Sequence, residues 1–153
     1  MAQEHFPRSP GRSASAAAPL RNTVEVFLPS EPRHVKTSRR VAESALEHWG
    51  GVPAMVADDA VLIVSELVTN AILHGGVGTC EAVGLRIEHT GNGLLIEVTD
   101  GNSQRAQVKT VEGTETGGRG LLLVTQLACE WGTRNENHTT WARLPTQLQD
   151  QGC

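Results

Sequence analysis

The apolar positions of this chain alternate between two rhythms. Residues 23–29, TVEVFLP, set Val24, Val26 and Leu28 against polar neighbours, the two-residue period of a half-buried strand that Pro29 ends. Ser30 before Glu31-Pro32 suits a helix start, and Val35, Val41, Ala42, Ala45, Leu46 and Trp49 then recur at mostly helical spacing as far as Gly50-Gly51. Asp58 or Asp59 is expected to open a second helix, with a buried stripe of Ala60, Ile63 or Val64, Leu67, Val68 and Ala71 and an end at Gly75-Gly76. From Cys80 to Glu88, Val83, Leu85 and Ile87 alternate with polar or small residues. HTGNG then turns the chain into LLIEVTD, whose apolar face is Leu94, Ile96 and Val98, so the pair reads as a β-hairpin. Residues 101–118 lack periodicity, GRGLLLVTQLAC restores a helix, and TRNEN turns a last hairpin with strands near Cys129–Thr133 and His138–Leu144. The order strand, helix, helix, two strands, helix, two strands predicts an α/β two-layer sandwich: a mixed, mostly antiparallel sheet covered by helices on one face.

The flanks lack either rhythm. Residues 1–21, rich in Pro, Ser, Ala and Arg, are expected to form a disordered tail, and residues 147–153 a frayed one, which leaves a single domain over residues 22–146. A length of 153 residues is that of one ordinary domain. The formal net charge of −4 provides no global basic footprint, so direct nucleic-acid and membrane partners are not expected, although a local basic patch is allowed. Cys80, Cys129 and Cys153 have no metal-ligand spacing and read as ordinary thiols of a reducing compartment. With no signal-peptide core and no run of about 20 apolar residues, the expected location is the cytoplasm.

Three places could carry chemistry. In SELVTNAILH, Glu66, Asn70 and His74 stand four apart on one helix face, so a carboxylate and an amide can serve one small site. A carboxylate can take a proton from a hydroxyl, and an amide oxygen suits Mg²⁺ beside phosphate oxygens. The same spacing also describes a solvated helix face. Asp100 shares the parity of Leu94, Ile96 and Val98 and points toward the side they bury, where a carboxylate needs a donor such as an adenine amino group; Asp-Gly-Asn is equally good turn chemistry. TGGRGL, residues 116–121, sets glycines at a helix mouth where free N–H groups and the helix dipole favour an anion, with Arg119 able to add a bidentate phosphate contact. A flexible loop entering a helix has the same composition.

ELVTN on a helix, a strand ending in VTDGN, a long loop, GGRGLLLV opening a helix and a closing HTTWARLP strand together resemble the GHKL ATP-binding domain, a Bergerat-type sandwich, over about residues 23–145. The short form with an ExxxN first motif looks most like the branch of anti-sigma-factor serine/threonine kinases. The resemblance implies ATP and Mg²⁺ as cofactors, with Glu66 as base, Asn70 as the Mg²⁺ ligand and His74 near the phosphates. It further implies Asp100 as the reader of the adenine amino group, and Gly118, Arg119, Gly120 and Leu121 as the phosphate cradle, Arg119 also stabilising the transferred group. A threonine beside the adenine matches Thr139 or Thr140, with Thr139 favoured. The implied partner is a sigma factor or an anti-sigma-factor antagonist, and a homodimer is an allowed assembly. The chain departs from the family pattern at DGNSQ, where Asn102 and Gln104 stand in place of glycines, and at Thr116, where a basic residue is usual. A regulatory module that docks without phosphoryl transfer is therefore the alternative function.

Overall fold

The computed structural model describes residues 21–75, 82–100, 117–134 and 138–147. They form β1 (Arg21–Pro29), α1 (His34–Trp49), α2 (Ala54–His74), β2 (Ala82–Thr90), β3 (Gly93–Asp100), α3 (Gly117–Leu127), β4 (Glu130–Arg134) and β5 (Thr139–Pro145), the succession that the periodicity predicts. Strand β1 begins at Arg21, the residue expected to close the tail. The rest of that tail, the loop over 101–116 and the C-terminal residues from 148 lie outside the described residues.

The strands are ordered β1-β2-β3-β5-β4, and each of the four junctions is antiparallel. Where a mixed sheet was expected, no parallel pair occurs among the described residues. Each helix reverses the chain, so two helices between β1 and β2 leave those neighbours antiparallel. The single helix between β3 and β4 makes these two strands run the same way, but β5 returns between them. Both early helix starts also differ from expectation. Helix α1 begins at His34 rather than near Ser30, because residues 29–35 are spent on tight turns in which His34 N–H donates to Glu31 O and Val35 N–H to Pro32 O. Helix α2 begins at Ala54, ahead of Asp58 and Asp59. Pro53, with φ −56° and ψ 142°, delivers the chain into the helix, and its carbonyl accepts the first bond from Ala57 N–H.

The core lies between the helices and one face of the sheet. Cross-strand rows on that face read Val24–Ile87–Ile96–Ala142 and Val26–Leu85–Val98, and the residues from β2, β3 and β5 in them are fully or almost fully buried. Against them α2 places Ala60, Ile63, Val64, Leu67, Val68 and Ala71, all buried as the stripe predicts. Helix α1 contributes Ser38, Ala42 and Leu46, and Trp49 stacks on His89 with ring centroids 6.3 Å apart. Helix α2 touches β2, β3, β5, α1 and α3, so its position is fixed from several sides.

The opposite face of the sheet carries charge. The row Glu25–Arg86–Glu97–Trp141 crosses four strands. Arg86 donates to Glu97 at 2.8 Å and to Glu88 at 2.6 Å, and Arg134 also donates to Glu97. Trp141 lies under the guanidinium groups of both Arg134 and Arg143, at 5.7 and 5.9 Å, a cation–π arrangement. Burial pushes the Glu97 carboxyl up, but the hydrogen bonds from Arg134 and Arg86 outweigh it and hold the group below the usual glutamate range. Glu97 is thus charged in the folded chain at pH values where the unfolded chain has taken up its proton.

Glu97 therefore contributes stability above its unfolded pKa, about 4.3, and this is lost as pH falls through the lower folded value. Glu97→Gln should lower stability near neutral pH by about 1–3 kcal/mol. It should also flatten the acid limb of a plot of denaturation midpoint against pH, which denaturant titrations across that range would measure.

Candidate nucleotide site

Helix α2 presents its polar residues beside the first turn of α3. Its buried stripe faces the sheet, which leaves Glu66 and Asn70 half-buried on its flank and His74 exposed in its last turn. Gly117, Gly118 and Gly120 fall inside the first turn of α3 rather than before it. The N–H groups of such a turn have no partner within the helix.

Gly120 is where the two helices meet. A Cβ there would lie 2.5 Å from Glu66 Oε2 and 3.7 Å from Asn70 Nδ2, so only a glycine allows this approach without moving the glutamate. The structure thus brings together Glu66, Asn70 and Gly120, three residues that the sequence separates by up to 54 positions (120 − 66). Arg119, beside Gly120, is exposed, and Leu121 turns inward against the core.

Asp100 stands at the other end of α2. A Cβ on Gly75 would lie 3.7 Å from Asp100 Cβ, which places the carboxylate next to the helix C-terminus. Glu66 and Gly75 are nine residues apart, about 14 Å along a helix axis. Asp100 pairs with Val83 across the sheet, on the face that packs against the helices, as its parity predicts. Its Oδ1 is buried and accepts no hydrogen bond among the described residues. A buried acceptor left bare is costly unless something supplies a donor, and an exocyclic amino group fits that need.

The register sets the two candidate threonines on opposite faces of the sheet. Thr139 pairs with Thr99, their hydroxyls 2.7 Å apart, on the face away from the helices. Thr140 pairs with Val98 and shares the face of Asp100. The two-residue period already carried this signal, because Thr140 has the parity of the buried Ala142 and Leu144. Gly75, as the neighbour of Asp100, was not picked out from the sequence, where it reads only as a helix stop. The thiol expectation also changes, since Cys129 is disulfide-bonded. An odd cysteine count leaves room for one bridge; Cys80 and Cys153 lie outside the described residues.

The donor set fits a magnesium nucleotide. Asn70 provides an amide whose oxygen suits Mg²⁺, with Gly120 leaving room beside its Nδ2, Asp100 provides the unpaired acceptor, and the first turn of α3 carries N–H groups of the kind that favour an anion. Among the described residues there is no cluster of three or more His, Cys, Asp or Glu side chains able to hold a metal alone, so a cation here would depend on phosphate oxygens.

A sheet covered by three helices, with an acid and an amide on the central helix opposite a glycine-opened helix mouth, defines an ATP-binding α/β sandwich. Residues 28–145 match the family model of the histidine kinase-like ATPase domain, and the chain belongs to that family. No curated protein matches the chain. No helix among the described residues is long and apolar enough to cross a membrane.

Two outcomes follow from this geometry. Gly120→Ala removes a helix-interior glycine, so folded stability should hold or rise by up to about 1 kcal/mol. Its methyl group displaces Glu66 and fills the space beside Asn70, so ATP affinity should fall about tenfold or more in the same preparation. Asp100→Asn should weaken ATP by about tenfold to a hundredfold while leaving inosine triphosphate, which lacks the amino group, nearly unaffected in a competition assay.

Proposed function

We propose that this chain is an ATP- and Mg²⁺-dependent regulatory protein kinase of the anti-sigma-factor type, which passes the γ-phosphoryl group of ATP to a Ser or Thr of a partner regulator. The observation that carries this reading is the approach of Gly120 to Glu66 and Asn70, which sets a carboxylate beside the helix mouth suited to the phosphates. In the transfer the partner's hydroxyl oxygen bonds to the γ-phosphorus as the bond to the ADP oxygen breaks, and the hydroxyl proton passes to the Glu66 carboxylate. Asn70 would hold Mg²⁺, which when bound neutralises charge on the phosphates. Arg119 and the backbone from Gly118 to Leu121 would stabilise the transferring group, and Asp100 with Thr139 or Thr140 would orient the base. His74 is reserved for a contact near the phosphates. The partner is a sigma factor or an anti-sigma-factor antagonist, the setting cytoplasmic, and a homodimer the assembly that would present two such sites.

A second reading, docking without transfer, is favoured by Asn102 and Gln104 at the family's glycine positions and by the acids Glu112 and Glu115 ahead of the glycines, residues outside the described part. The two readings separate at Glu66. Incubation with γ-labelled ATP, Mg²⁺ and candidate antagonist proteins should label a Ser or Thr. Glu66→Gln should cut that labelling by about 10²-fold or more while ATP still binds. A chain that binds ATP yet labels none of a broad partner panel supports docking alone.

A further inference from the structure

Cys129 lies two residues beyond the end of α3, is exposed, and is held in a disulfide that the nucleotide site does not use. Its partner is Cys80 or Cys153, and the register of the sheet decides between them. Cys129 N–H donates to Arg143 O at 2.8 Å, and Arg143 faces Leu95, which faces Glu88. From Glu88 back to Ala82 is six residues (88 − 82), about 20 Å along β2, and from β4 to β2 is three strand spacings, about 14 Å. Cys80, two residues before Ala82, recovers only about 7 Å of that separation. A disulfide needs its Cα atoms within about 7 Å of each other, so Cys80 is excluded.

Cys153 meets the requirement. It stands six residues past Gln147 (153 − 147), a reach of up to about 20 Å. The chain leaves the sheet at the end where Cys129 sits, since Pro145 pairs with Gly93 and Thr146 N–H donates to Asn92 O. Beside that exit a groove of about 590 Å³ opens on the charged outer face of the sheet. Leu95 lies at its middle in strand order, with Arg21 and Glu88 to one side and Arg143 and Cys129 to the other. Arg21 and Arg143 are exposed, and they pair with Glu88 and Glu130 at 3.7 and 3.8 Å, too far for hydrogen bonds. Both guanidinium groups therefore keep donors to offer across the groove.

We propose that Cys129 and Cys153 form a thiol-sensitive clasp that straps residues 148–153 across this groove, which is covered in the oxidised chain and open in the reduced one. The strap supplies what the groove lacks: Leu148 for Leu95, and the Asp150 carboxylate for the donors of Arg21 and Arg143. An exposed bridge in a reducing compartment is reversible, so the cytoplasmic setting proposed above makes the clasp a switch rather than a permanent staple. The switching rests on that setting, and the pairing does not. On closure each thiol loses its proton, the two sulfurs join, and two electrons pass to a disulfide oxidant such as oxidised glutathione, which leaves as two thiols. A dithiol reverses the step and is itself left as a disulfide.

The full chain, oxidised with glutathione disulfide and digested with trypsin without reductant, should yield fragment 120–134 joined to fragment 144–153 by mass spectrometry. A bond to fragment 41–86, which holds Cys80, a bond between two chains, or no bond overturns the pairing. Amide chemical shifts of the labelled chain should differ between the oxidised and the dithiothreitol-reduced forms around Arg21, Glu88, Asn92, Leu95 and Arg143. Cys153→Ser should give the reduced pattern under both conditions. Closing a 25-residue loop (153 − 129 + 1) should raise the thermal midpoint by about 5–15 °C in the wild type and in Cys80→Ser, but not in Cys153→Ser. Shift changes that leave the groove untouched, or equal midpoints in the two forms, overturn the strap. A bridge that stays closed in a glutathione buffer as reducing as the cytosol overturns the switch. None of these readouts involves nucleotide, so the proposed kinase activity can fail without affecting them.

Discussion

The close approach of α3 to α2 at Gly120 is the constraint on which the site depends. A hydrogen atom in place of a side chain lets the first turn of α3 lie against Glu66 and Asn70. That contact means something because α2 itself cannot shift. Ile63, Val64, Leu67 and Val68 lock it onto the sheet, and α1 closes its other side. Burial of an apolar stripe therefore sets the direction in which two polar residues point, and one missing methyl group sets what they face. Asp100 belongs to the same frame, since Gly75 brings the end of β3 to the end of α2.

Much of this frame is legible in the sequence because it rests on periodicity. The alternation in β1, β2 and β3, the stripe of α2 and the parity of Asp100 all reflect which side chains must leave water. The helix starts were less legible. Asp58 and Asp59 look like caps, but Pro53 with its fixed φ begins α2 earlier, and the turns at residues 29–35 delay α1. Local capping preference is a smaller effect than the geometry with which the chain enters a helix. The parity of Ala142 and Leu144 tells Thr139 from Thr140 by the face each takes.

Other features had no sequence signal, because they need partners far apart in the chain. Glu97 meets Arg134, 37 positions further on, only once β4 lies beside β5, whereas Arg86 faces it across the local β2–β3 hairpin. The approach of Gly120 to Glu66 is equally non-local. In TGGRGL the glycine reads as loop flexibility, whereas in the fold its role is to be small.

The central claim is that Glu66, Asn70, Asp100 and the mouth of α3 form one site for a magnesium nucleotide. Calorimetric titration of ATP into wild-type chain and Asn70→Ala, each with and without Mg²⁺, tests it most directly. The account predicts that Mg²⁺ strengthens ATP binding to the wild type and that this enhancement is lost in Asn70→Ala, with the metal-free affinity little changed. Absence of ATP binding by the wild type, or an equal Mg²⁺ enhancement in both proteins, would contradict it.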